Sequence, residues 1–144
     1  MGYTHYWRPT TNKALPKTKW SAFQKDLKTV LDNLPKNGVN EYTREEPLSI
    51  DMKIFSDDII HFNAVEEKFQ HECFYFERNN DENYNFCKTA RKPYDYLVIA
   101  SLLLVDKHFP KKFNITSDGD VMEWSVVQAI LKEIGIDTKI PKGI

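Results

Sequence analysis

Phe86-Cys87-Lys88-Thr89-Ala90-Arg91-Lys92-Pro93-Tyr94-Asp95 is the stretch on which the reading of this chain turns. It closes a β-like run and opens the most apolar helix of the sequence, so it marks a strand-to-helix junction. Pro93 suits the first turn of that helix, where its missing N–H costs nothing. The helix is expected over residues 93–108, with Leu97, Val98, Ile99, Leu102, Leu103 and Val105 covering nearly every side. A helix without a water-facing stripe belongs at the centre of a core. Three cations, Lys88, Arg91 and Lys92, stand just ahead of it in a chain whose net charge is only -1. A helix N-terminus already carries unpaired N–H groups and partial positive charge. Cations placed there need a negative partner. A phosphate or carboxylate, held by them and by N–H groups near Tyr94 and Asp95, would supply it. The alternative is a solvated loop whose cations pair with Asp81, Glu82 and Asp95.

Outward from this junction the pattern alternates between strands and helices. Residues 2–8 are aromatic and β-prone, closed by Pro9. Thr18 is placed to cap a helix to about residue 33, with Trp20, Phe23, Leu27, Val30, Leu31 and Leu34 on one face. Pro35, Asn37 and Gly38 stop it, and residues 36–47 read as a charged loop. Strands follow at 48–55, 59–64 and 73–78, then a polar tip at 79–83 and a fourth strand at 84–89. Short turns between neighbouring strands predict antiparallel pairing. Residues 113–117 make a last strand, Asp118-Gly119 a turn, and Asp120 with Glu123 a capping box for a helix over 121–134, ended by Gly135. The expected fold is α+β: a twisted, mostly antiparallel sheet with about three packed helices, in a single domain over residues 1–144.

Composition narrows the functional classes. With 41% hydrophobic and 28% charged residues over 144 positions, a folded single domain is expected and disorder is not. Lys plus Arg (20) nearly cancels Asp plus Glu (21), so nucleic acid and acidic membranes gain no general attraction. The opening residues lack the layout of a signal peptide, and Tyr6 breaks the myristoylation pattern. The apolar run 97–105, interrupted by Ser101, is too short to span a bilayer. A cytoplasmic protein with reduced Cys73 and Cys87 is expected.

Two further constellations carry chemistry. Strand alternation sends Tyr3, His5 and Trp7 to one face, where they form either a stacking platform for a base or a packed face with His5 hydrogen-bonded in the core. Thr116-Ser117-Asp118-Gly119-Asp120 is a small acidic turn between strand and helix, suited to a divalent cation or a ribose hydroxyl pair, or to simple capping by Asp120. Phosphate-loop, dinucleotide, zincin and serine-hydrolase motifs are absent from the sequence. His71 with Cys73 makes a weak metal pattern, and Cys87 reads as an inert buried thiol. No cofactor is expected.

With these motifs in hand, the chain resembles a group of small proteins of bacteriophages and scattered bacteria that open with MGYTHYW and carry FCKTARKPYD before an apolar helix. Their later SSDGD motif reads Thr116-Ser117-Asp118-Gly119-Asp120 here, threonine replacing one serine. The resemblance implies a phage context, in which a nucleotide-binding protein could act as a counter-defence sponge for immune messengers. The combined expectation is a binding protein for a phosphate-containing, nucleotide-like molecule. Tyr3, His5 and Trp7 would contact the base; Lys88, Thr89, Arg91 and Lys92 the phosphate; Tyr94 would close the site; Ser117 and Asp118 would contact the sugar. Rival expectations are a small nucleotide hydrolase with His5 as acid/base and Asp118 as its partner, and an interaction module using residues 36–47 and 78–85. Membrane partners are not expected, nucleic acid is disfavoured, and self-association is left open.

Overall fold

The computed structural model describes residues 2–35, 48–79 and 85–144. The charged loop expected at 36–47 and most of the polar tip, 80–83, lie outside the described residues. Among the described residues the order is β1 (Thr4–Pro9), α1 (Lys17–Asp32), β2 (Ile50–Phe55), β3 (Ile59–Ala64), β4 (Phe74–Glu77), β5 (Asn85–Lys88), α2 (Asp95–His108), β6 (Phe113–Ser117) and α3 (Val121–Glu133). A single 3₁₀ turn, Glu67–Phe69, joins β3 to β4. The architecture is α+β, with every described strand pair antiparallel.

The strands form two three-stranded sheets, ordered β5-β1-β6 and β2-β3-β4. A hairpin between β4 and β5 is the local expectation; instead β5 pairs with β1, which lies some eighty residues earlier, and β1 also pairs with β6. β1 is thereby paired on both edges, which satisfies its backbone donors and acceptors as a strand with a buried face requires. Cross-links still tie the sheets together beside β4. The Glu72 carbonyl accepts from the Tyr94 hydroxyl and the Cys87 thiol, and Lys88 O accepts from Glu72 N.

Helix α2 carries an unbroken buried run from Asp95 to Val105. It packs between α1 and α3 and forms the centre of one hydrophobic core that reaches both sheets. Trp20, Phe23, Phe76, Phe109 and Phe113 interlock beside it at ring separations of 5.4–6.3 Å. Burying each such side chain contributes about 1.5–3 kcal/mol, so this cluster is a substantial part of the core. Two helix starts differ from expectation, and a third keeps its start but only half of its expected cap. Pro16, with extended φ and ψ, precedes α1 and accepts from Trp20 N, leaving Thr18 inside the helix. Pro93 and Tyr94 form a turn ahead of α2. Asp120 caps α3 by accepting from Glu123 N at 3.0 Å, but the Glu123 carboxylate does not return the bond in the reading of a capping box; it reaches Tyr3 and Arg91.

Candidate functional site

The three sequence motifs do meet, at the edge where β1, the 89–92 corner and the β6–α3 turn come together. The register of the first sheet explains why. His5 stands directly opposite Ser117 on β6, and opposite Cys87 on β5. Directly opposed residues of an antiparallel pair face the same side with Cβ atoms about 4.5–5.5 Å apart. Ser117 Oγ accordingly lies 2.7 Å from His5 Nδ1. From the helix layer, Asp95 in the first turn of α2 places Oδ1 2.5 Å from His5 Nε2, and that oxygen also accepts from Thr89 Oγ1 at 2.6 Å.

Donor and acceptor roles follow from the chemistry. A carboxylate only accepts, so Nε2 carries a proton toward Asp95; in a neutral imidazole Nδ1 then accepts from the Ser117 hydroxyl. Ser117 Oγ in turn accepts from Gly119 N at 2.8 Å. His5, Thr89 and Asp95 are buried, while Ser117 is half-buried. The result is a chain of polar groups that runs from the core to the surface at Ser117.

Tyr3 lies over this chain. Its ring meets His5 edge-on at 5.1 Å, and its hydroxyl donates to Glu123 Oε2 at 2.8 Å. Burial, then the charge of Asp95 and the bond to Glu123, push its phenol well above the ordinary tyrosine range, so it remains a proton donor. The guanidinium of Arg91 sits 4.0 Å from the centre of the Tyr3 ring and grips both Glu123 oxygens, at 2.5 and 3.3 Å. Ala90 and Arg91 both adopt left-handed backbone (φ 51° and 57°), a cost of roughly 1–2 kcal/mol for each side-chain-bearing residue. Bonds from Thr89 N and Ala90 N to Tyr3 O hold the corner against that cost. Beside it, Gly2, Tyr3, Ala90, Arg91 and Asp118 line a cavity of about 460 Å³, and the Lys88 side chain runs alongside Gly2.

Several expected roles need correction. Trp7 is buried against Phe74 at 5.0 Å and His5 is wholly buried, so the first strand offers no open stacking platform. The physical reason is that β1 is the middle strand of its sheet and turns this face to the core. Tyr94 is also buried, its hydroxyl spent on Glu72 O, and it cannot close a site. Thr89 uses its hydroxyl on Asp95. Asp95 N donates to Lys92 O, so that amide does not serve an outside anion. Asp118 does not partner His5; it takes Thr4 N on Oδ2 and gives its own N–H to Thr4 O, extending the β1–β6 ladder. Lys88 is exposed and Lys92 half-buried. Asp95, Glu123 and Gly119 were missed as site residues. An acid opening a helix that is apolar all round was the signal for Asp95, because such an acid is buried and must find a partner.

Other candidates resolve simply. Burial pushes the Cys87 thiol far up, in keeping with an inert buried group. His71 Nδ1 bonds to Lys88 O, and Cys73 Sγ accepts from Asn63. Among the described residues no group of three His, Cys, Asp or Glu side chains could hold a metal ion. No described helix is long and apolar enough to cross a membrane. Residues 36–47 and 80–84 of the proposed interaction surfaces lie outside the described residues.

No protein-family model, no curated protein and no solved structure matches the chain. The functional reading therefore rests on the site.

Proposed function

We propose that the protein binds a phosphate-containing small molecule of nucleotide type in the cavity beside Arg91. The observation that carries this is the forked pair between Arg91 and Glu123 at the cavity edge. A guanidinium that grips two carboxylate oxygens presents the geometry used for phosphate. The pair is substantially open to water, its side chains 47% and 27% exposed, and exposed pairs contribute only about 0–1 kcal/mol. A phosphate that also meets Lys88 and carries more charge than one carboxylate can take Glu123's place. Asp118, which also lines the cavity, supplies an acceptor for ligand hydroxyls. Tyr3, held by Glu123, His5 and Arg91, lines the cavity as a fixed wall, while Trp7 stays in the core. Held without turnover, such a ligand would be sequestered, which is the action of a sponge for nucleotide messengers.

The reading is tested by thermal shift and calorimetry against inorganic phosphate, pyrophosphate and a panel of mono-, di- and cyclic nucleotides. Saturable binding of at least one member, weakened by Arg91→Gln and by added salt, is the expected result. Unchanged melting with every member at millimolar concentration would overturn it.

A further inference from the structure

We infer that Ser117 is an activated nucleophile, with His5 as its general base and Asp95 as the residue that orients and charges the imidazole. This rests on the binding site of the preceding proposal and makes the bound phosphate compound a substrate that is turned over, in place of a ligand that is only held. The inference rests on a juxtaposition that none of the absent sequence motifs could signal. A serine, a histidine and an aspartate from three separate elements are linked in order through both ring nitrogens, at 2.7 and 2.5 Å. Nucleophile, base and orienting acid are recognised by this geometry and not by sequence order. Here the serine meets Nδ1 and the acid Nε2, so the imidazole is used in the opposite sense from the Ser-His-Asp template.

Three further features suit the role. Ser117 ends β6 and is followed at once by the turn into α3, so it stands at a strand-to-helix junction. Gly119 N already donates to Oγ, which favours the alkoxide that forms as the proton leaves. Thr89 and the core hold Asp95 in place from behind, and Trp124 meets the His5 ring edge-on at 5.5 Å. The base is therefore pre-set in a water-poor setting, while Ser117 is half-buried and the next residue, Asp118, lines the cavity.

The reaction written on this site is hydrolysis of a phosphodiester. Ser117 Oγ forms a bond to phosphorus as its proton passes to His5 Nδ1. The bond from phosphorus to the leaving oxygen breaks, and that oxygen takes the proton from Nδ1. Water then gives a proton to Nδ1, attacks phosphorus, and Ser117 leaves with the proton returned. Arg91, which lines the same cavity as Asp118, supplies a cation for the charge that builds on the phosphoryl oxygens.

A fluorophosphonate probe tests this directly on the full chain. Intact-mass analysis is expected to show one phosphonate per molecule, mapped to Ser117, with labelling slowed at least roughly a hundredfold in Asp95→Asn. Ser117→Ala abolishes it. Because the aspartate is buried, Ser117→Cys serves as the second variant: its thiol should alkylate with iodoacetamide far faster than Cys73 or Cys87, and more slowly once Asp95 is also changed. Release of p-nitrophenol from bis(p-nitrophenyl) phosphate should follow the same order of variants. Folded wild-type protein that takes no label and shows no turnover overturns the inference, even where a nucleotide still raises the melting temperature. Labelling without any nucleotide response upholds the nucleophile and overturns the binding reading instead.

Discussion

Replacing Gly119 by alanine probes the packing that covers the Ser117–His5–Asp95 chain. A Cβ at this position would stand 2.2 Å from the Tyr3 hydroxyl, 3.0 Å from its Cζ and 3.2 Å from Ser117 Oγ. The backbone of Gly119 lies outside the left-handed region, so steric contact alone sets the cost. Tyr3 cannot yield freely, because its hydroxyl is bound to Glu123, its edge to His5 and its face to Arg91. Overpacking costs about 1–3 kcal/mol and a displaced hydrogen bond to a charged group about 1.5 kcal/mol, giving an expected loss of about 2.5–4.5 kcal/mol. In a domain of this size that is a fall in melting temperature on the order of 10 °C. Urea denaturation of the wild type, Gly119→Ala, Tyr3→Phe and the double variant would separate the causes. With the hydroxyl gone the 2.2 Å contact disappears, so the double variant should recover at least about 1 kcal/mol relative to additivity. Costs that add within about 0.5 kcal/mol would refute the assignment of the penalty to Tyr3.

Glu123→Gln removes the carboxylate that occupies Arg91 while keeping a partner for the Tyr3 hydroxyl; pyrophosphate affinity measured by calorimetry should rise by about two- to fivefold, the worth of an exposed ion pair. Gly143→Ala would bring a Cβ to 2.2 Å from the Ile115 carbonyl, a backbone atom that cannot swing away, so hydrogen exchange should report loosening of the last residues against β6. At Asp26, burial raises the carboxyl pKa, but hydrogen bonds from His108 and Lys107 outweigh it and hold the group below the usual carboxylate range. Its contribution is thus present above the unfolded value near pH 4 and lost as pH falls toward the lower folded value. Asp26→Asn should flatten acid unfolding in that window and leave the profile above it unchanged in shape, as read by melting temperature against pH.

The legibility of this chain follows from range of interaction. The α2 run from Leu97 to Val105 declared itself because no solvent-facing residue interrupts it, and burial of the whole run bears that out. The Asp120 cap was legible for the same reason: donor and acceptor lie three residues apart. The partner of β5 was not. Adjacent strands favour a hairpin locally, yet pairing with β1 satisfies two edges of a buried strand, and sequence distance carries no mark of that choice. The cations at 88–92 read either as an anion site or as pairing with Asp81, Glu82 and Asp95. Arg91 instead grips Glu123 on α3, too far along the chain for a local pattern to mark, and Asp95 turns to His5 and Thr89.

The sequence by itself determined the α+β class, the central helix and the face on which Tyr3, His5 and Trp7 lie, since each depends on local periodicity and side-chain volume. Only the tertiary structure decided that this face is buried, and that His5 stands between Ser117 and Asp95. Register sets which residues oppose one another across a sheet. It is chosen by the summed packing of the whole core, and no short stretch of sequence holds that sum.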